Sequence, residues 1–338
     1  MTDWIEFIER QGAMATHVDS DSVDAGFVAP LNDLGLIAFS GADAGNFLHN
    51  QLTNDVEHLG LTEARLAGYC SPKGRLLASF LMWRSDQSIV LQVDRAIQPA
   101  IQKRLQMFVL RAKVTIADVT NSFAMLGLGG SLAAAAMSRW FPVLPEAIHA
   151  KVDSASGTLI RVADANGMAR YQWITTPEIA IGAWTALREQ LSMASADYWR
   201  LTEIRAAIAH ITLATQEKFV PQMINLEAVG GVNFKKGCYP GQEIVARSQY
   251  LGKLKRRMLP ATVTTTHVAA GMEVFTSGDT LQPCGMIVNA AHDRDGVAHC
   301  LVEIKTAVLD VDGETVHLGP SGPRLQFTSL PYALPDAI

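Results

Sequence analysis

Cysteine is scarce in this chain, with four among 338 residues. None of Cys70, Cys238, Cys284 and Cys300 forms a C-x-x-C pair or has a histidine at metal-ligand spacing, so neither a disulfide framework nor a zinc or iron–sulfur centre is expected. Long apolar runs are missing too. Spanning a bilayer takes roughly 18 apolar residues, and the longest candidate, SLAAAAM at 131–137, is short and soon followed by Arg139. The opening MTDWIEFIER has neither the basic start nor the cleavage site of a secretory signal. The expected location is cytoplasmic, with no membrane partner. Positive charge is not in excess, the formal net charge being −5. A nucleic-acid face needs a broad basic surface with interleaved aromatics, so nucleic acid is not expected as a direct ligand. No internal repeat or low-complexity segment is visible.

What remains is a globular composition, 49% hydrophobic, 18% charged and 7% aromatic, in a chain long enough for two or three domains. The stretch 34–39 (LGLIAF) reads as a strand, and 44–52 (AGNFLHNQL) as a short amphipathic helix ended by Thr53-Asn54-Asp55. Two strands flank Ser-Pro-Lys-Gly at 71–74, a hairpin signal. Residues 88–93 and 113–116 read as further strands, with a helix at 96–109 between them. The region 121–195 holds strands near 123–128, 158–163 and 171–174 and helices near 131–139 and 178–193. The pattern at 198–210 (YWRLTEIRAAIAH) is helical, with His210 read as structural and Trp199 and Tyr198 as core. After Arg257 come short strands at 258–264, 273–275, 285–291, 297–304 and 324–328, separated by Gly, Asp and Pro, the texture of a small antiparallel barrel.

The stretch 235–247, KKGCYPGQEIVAR, carries the chemistry. Residues 235–257 hold seven bases (Lys235, Lys236, Arg247, Lys253, Lys255, Arg256 and Arg257) against Glu243, a net +6 in an acidic chain. Such a segment is either a solvated surface or a site for an anionic ligand. A thiol becomes reactive where its thiolate is stabilised by cations or by the positive end of a helix. Cys238 follows two lysines, and Pro240-Gly241 precedes a helix start at Gln242. Gly237 and Gly241 permit close backbone approach. Gln242 can read a planar heterocycle with paired donor and acceptor, and Glu243 can accept from a ring amino group. The alternative is a small buried hydrophobe after a turn. Cys70, Cys284 and Cys300, in strand-like contexts, are read as packed inside.

At this motif the sequence resembles the YgfZ-type folate-binding proteins of iron–sulfur cluster assembly and repair, relatives of the aminomethyltransferase (T-protein) of the glycine cleavage system. The signature stands as Lys236-Gly237-Cys238-Tyr239-Pro240-Gly241-Gln242-Glu243 with Arg247. FSGADAGNFLHNQLTNDV (39–56), CSPKGRLL (70–77), FVPQMINLEAVGGVNF (219–234) and LPYALP (330–335) are similar as well. The resemblance implies an α+β, aminomethyltransferase-like folate-binding fold, with two lobes in a region 22–252 and a C-terminal antiparallel β-barrel at 253–338. It implies tetrahydrofolate or a derivative as cofactor, with Asn54, Asp55, Lys236, Gly237, Tyr239, Gly241, Gln242, Glu243 and Arg247 as candidate binding residues and the +6 segment as a cationic rim for the glutamate tail. The resemblance further implies Cys238 as the functional thiol, iron–sulfur enzymes or assembly factors as partners, a connection to tRNA modification, and no metal site.

The pattern departs from the T-protein in two places. That enzyme has a catalytic carboxylate soon after a hairpin resembling 70–77, where this chain has Ala78 and Ser79. A pterin-reading glutamate of the T-protein would fall near Arg205, with Glu203 close by. Three functions therefore stay open: a folate-dependent factor for cluster assembly or repair acting through Cys238, a one-carbon transferase, and a non-catalytic folate sensor or adaptor. Whether the chain is an enzyme is open as well.

Overall fold

The computed structural model describes residues 4–12, 25–250 and 254–335, and three sheets carry the fold. Residue 22, the boundary at 252–253 and Lys253 lie outside the described residues. The first sheet orders Ala64–Cys70, Leu76–Arg84, Ser88–Asp94, Leu34–Ser40 and Thr115–Asp118, all antiparallel. Leu76–Arg84 is buried at every position but the last, as a strand covered on both faces should be. The second sheet orders Ser192–Met193, Phe27–Pro30, Ala124–Gly129, Met168–Thr175, Gly157–Ala165 and Lys151–Ser154, antiparallel except for its first pair. Helix Pro177–Arg188 adds Ala180, Ala183, Trp184 and Leu187 to this sheet's core. Thr176 caps it by accepting the N–H of Ile179, and Pro177 supplies the favoured first residue.

The third sheet orders Val316–Leu318, Glu273–Thr276, Gly285–His292, Val297–Lys305, Arg256–Thr264 and Gln326–Phe327. Its two edges meet. Leu325 donates to the Val316 carbonyl, and Thr328 to that of Pro260, so one short segment bridges both ends and nearly closes a barrel. Inward residues such as Val274, Ile287, Cys300, Val302 and Leu325 fill it. The architecture is thus α+β, two sheet-based N-terminal lobes followed by an antiparallel barrel.

The helix expected over 198–210 runs Ala196–Arg205. Ile208 donates to the Glu203 carbonyl and Ala207 to that of Ile204, the paired bonds of a Schellman ending. Ala207 takes the left-handed position, φ 53, normally glycine's, so the usual stop signal is absent from the sequence. The chain turns there, and the side chain of His210 comes back to Glu203. Tyr332, within the LPYALP stretch, donates to the Ala207 carbonyl at 2.9 Å and lies 3.4 Å from the amide nitrogen of fully buried Asn225. The helix expected over 44–52 ends at His49. Strands Phe27–Pro30, Lys151–Ser154, Ser192–Met193 and Val316–Leu318, of two to four residues, are too short to display a period.

Candidate functional site

A cavity of about 160 Å³ lies where the helix Ala196–Arg205 and the segment after Ala207 face the barrel, lined by Asp94, Arg200, Glu203, Ile204, Ile208, His210, Thr212, Ala270, Asn289 and Ala290. Glu203, 5% exposed, is its centre. Its Oε2 lies 2.8 Å from His210 Nε2 and 3.3 Å from Arg200 Nη1. Burial pushes this carboxyl up, but His210, Arg200 and Arg170 outweigh burial and bring it down to about 2. Arg200 also donates from Nε to Asp33 at 2.6 Å and approaches Asp94 at 3.8 Å. A buried carboxylate is thereby kept ionised inside a partly apolar cavity.

Two devices aim these groups. The Ala207 turn returns His210 to Glu203. On the barrel side, the register shifts between Ile287 and Asn289, and such a bulge re-aims a side chain. Asn289 then clamps His210, donating to its carbonyl and accepting its N–H, both at 2.9 Å. A smaller apolar extension, lined by Leu66, Ser79, Phe80, Ile224, Leu226 and Val229 among others, shares Ile208 and His210 with the cavity. Ser79 Oγ accepts the N–H of Ile211 at 3.0 Å.

The thiol loop lies elsewhere. Cys238 is exposed, whereas Cys70, Cys284 and Cys300 are buried, with burial pushing Cys70 and Cys300 up to about 12. Lys236 turns inward and donates to the carbonyls of His49 and Leu52, the last carbonyls of the short helix Ala44–His49 and its following turn. Burial brings its ammonium down to about 8, against the pull of Asp55, Cys238 and Glu57. Its Nζ sits 4.8 Å from the ring centroid of buried Tyr239, a cation–π contact. Gln242 begins the helix Gln242–Tyr250, with its amide nitrogen 3.5 Å from the Gly237 carbonyl. Glu243 and Arg247 are exposed on that helix.

Gly241 has φ +80, and a Cβ there would lie 2.5 Å from the Ser71 carbonyl oxygen and 2.6 Å from Gly74 Cα. The hairpin turn 71–74 and the thiol loop therefore touch backbone to backbone, which only glycine allows.

Asn54 and Asp55, read as the end of a helix or as channel residues, take two other places. Asn54 is buried and donates to the carbonyls of Leu66 and Gly230, both at 2.7 Å. With Gly230 it lines an open outer groove, together with Asp55, Glu63, Arg65, His149, Phe234, Lys235 and Tyr250 among others. Asp55 lies 3.2 Å from His49 Nδ1 and 2.8 Å from His58 Nδ1. Burial raises its carboxyl, but hydrogen bonds from His58 and the charges of His58 and His49 bring it lower overall.

None of Cys238, Lys236, Gly237, Tyr239, Gly241, Gln242, Glu243 and Arg247 lines the central cavity. The basic segment is not one rim either. Arg256 pairs with Glu303 and buried Arg257 with Glu227, Lys236 is turned inward, and only Lys235, Arg247 and Lys255 of its described bases are exposed. Conversely, His210, read as structural, lines the cavity, as do Asp94, Arg200 and Asn289. A usable signal existed for Arg200: it stands three residues before Glu203, on the same face of one helix.

The chain is 33% identical over 293 residues to the tRNA-modifying protein YgfZ of Colwellia psychrerythraea, covering 85% of this chain and 86% of that protein. It is 29% identical over 310 residues to the protein of the same name from Klebsiella pneumoniae, covering 91% and 93%. The glycine cleavage system aminomethyltransferase T from Bartonella henselae superposes with a TM-score of 0.69 at 15% identity, over 91% of this chain and 86% of that one, a likeness of fold. No family model matches the chain.

Proposed function

The chain belongs to the family of YgfZ tRNA-modifying proteins, and from that premise we propose that it binds tetrahydrofolate or a derivative and serves iron–sulfur cluster assembly or repair through the Cys238 thiol. One observation carries the folate half: the ionised, buried Glu203 in the central cavity. A desolvated carboxylate is stabilised by hydrogen-bond donors, and the amino group and adjacent ring N–H of a pterin offer two in a fork. At about 160 Å³ the cavity is below the roughly 300–1,000 Å³ of sites that enclose a whole drug-sized ligand. The proposal therefore seats the pterin alone inside and leaves the aminobenzoyl-glutamate outside. Lys236, Gly237, Tyr239, Gly241 and Gln242 then hold the thiol loop in shape. The part in tRNA modification that the relatives' name carries would run through iron–sulfur partners, because the exposed bases among the described residues of the 235–257 segment are too few for an RNA face.

One-carbon transfer fits less well. A general base works best with a pKa near the operating pH, whereas Glu203 is held down by its partners and the Ser79 hydroxyl already accepts a backbone N–H.

The test has two arms. Anaerobic titration with tetrahydrofolate, followed by tryptophan fluorescence, should saturate for the wild type and weaken at least about tenfold for Glu203→Gln, since a lost charged hydrogen bond is worth about 1.5–3 kcal/mol. No saturable binding by wild type would end the folate half. In cells lacking the gene, wild type but not Cys238→Ala at equal abundance should restore a labile iron–sulfur dehydratase after oxidant stress. Equal rescue would end the thiol half.

A further inference from the structure

The stretch that follows the helix Gln98–Gln106 exposes Met107, Phe108 and Leu110, at 63%, 47% and 86%. A single exposed apolar side chain needs no explanation, but three within four positions mark a contact surface. The same stretch is basic. Residues 95–117 hold Arg95, Lys103, Arg104, Arg111 and Lys113 and no acid, in a chain of net charge −5. Two of these bases are used within the fold: Arg95 pairs with Asp118 at 2.9 Å, and Arg104 interacts with buried Tyr69. Lys103, Arg111 and Lys113 are exposed, and their side chains have no ion pair among the described residues.

A short helix sets where this tip stands. Asp43, just before the helix Ala44–His49, donates its N–H to the Lys113 carbonyl at 3.3 Å, and its carboxylate accepts the Lys113 N–H at 2.7 Å. At the other end Lys236, in the thiol loop, donates to the His49 carbonyl. The helix has six residues, a length of about 9 Å at roughly 1.5 Å per residue. The basic, apolar tip and the loop of exposed Cys238 therefore flank one short helix. Asn46 and Asn50, exposed on and just after that helix, are uncharged, and the Asn46 amide engages the nearby Glu57 at 3.1 Å.

We propose that this tip and the thiol loop form one docking surface for an acidic protein with an apolar socket, the partner that Cys238 serves. The proposal rests on the reading of Cys238 as the functional thiol. Three cations left unpaired in an acidic chain call for a negative partner, and the three apolar side chains call for one that buries them. A protein seated on Cys238 meets the tip one short helix away, whereas a bilayer at the tip would offer the thiol nothing to act on.

Recovery of the dehydratase after oxidant stress, in cells lacking the gene, reads this contact. Lys103→Glu/Arg111→Glu/Lys113→Glu should restore it at least about tenfold more slowly than wild type at equal abundance, electrostatic steering being worth about 10–10³ in association rate. Met107→Ser/Leu110→Ser should slow it as well with charge unchanged, while Lys103→Arg/Arg111→Lys/Lys113→Arg should match wild type. Thermal unfolding and tetrahydrofolate titration should be unmoved in all three, which separates lost docking from a lost fold or cavity. Wild-type recovery with both disruptive variants would overturn the proposal. So would flotation of the wild type, but not of these variants, with phosphatidylcholine vesicles containing phosphatidylglycerol, which would give the tip to a lipid surface. Failure of the wild type itself to restore the dehydratase would sink the iron–sulfur reading, and this proposal with it.

Discussion

Gly241 and Gly237 flank the same cysteine, yet their substitution by alanine should have very unequal consequences. At Gly241 the residue must hold φ +80, which costs an L-residue about 1–2 kcal/mol. Its new methyl would also lie 2.5 Å from the Ser71 carbonyl oxygen and 2.6 Å from Gly74 Cα. Those are backbone atoms, so relief requires moving the hairpin against the loop, and forced overpacking costs about 1–3 kcal/mol. The sum, about 2–5 kcal/mol, is a large part of the roughly 5–15 kcal/mol of a typical fold. At Gly237 the φ is not positive, and the methyl meets the His49 ring edge at an ordinary 3.5 Å, so the cost should stay within about 0.5 kcal/mol. Thermal unfolding separates them. With about 2 °C per kcal/mol for a chain of this size, Gly241→Ala should lose at least about 4 °C and Gly237→Ala about 1 °C or less. Equal shifts, or an unmoved Gly241→Ala, would mean that the hairpin and the thiol loop do not meet as described.

Glu203 makes a pH prediction with a definite sign. Its folded-state pKa is depressed from 4.5 to about 2, so it contributes stability that is present above about 4.5 and lost as pH falls toward 2. Acid unfolding of Glu203→Gln should therefore be flatter across that window than that of wild type, and parallel curves would contradict the ion-pair geometry. Ala207→Gly should raise stability by about 0.5–1 kcal/mol in chemical denaturation, as glycine relieves the left-handed strain at φ 53; destabilisation would refute the Schellman ending. Under native conditions a disulfide exchange reagent should titrate one thiol quickly and the remaining three only on unfolding, because Cys70, Cys284 and Cys300 are buried. Rapid release of more than one would show the barrel or the first sheet to be open.

The barrel was legible because its strands are separated by turn-formers and alternate inside with outside. Val274, Ile287, Cys300 and Val302 all lie in stretches that the sequence marks as strands. The hairpin at 71–74 was legible for the same reason. The central cavity was not. Its walls come from Asp94, Glu203, His210 and Asn289, which are far apart in sequence and ordinary in type. What assembles them is a helix stop written in alanine and a bulge at Asn289, neither of which has a local signature. The motif that was most visible, around Cys238, carried a charge count that the fold disperses: neighbours in sequence such as Lys236, Arg247 and Arg257 point into three different surroundings.

The bond from Tyr332 to the Ala207 carbonyl spans 125 residues, and it ties the order of synthesis to function. At about 5–20 residues per second, Tyr332 is added roughly 6–25 s after the turn it secures. Throughout that interval both lobes can exist while the turn that presents His210 still lacks its anchor, and the barrel wall with Asn289 is added during the same interval. A message cut short before this point would yield a chain with its thiol motif complete and its cavity unfinished, so that ligand capture would mark a chain made at least as far as Tyr332.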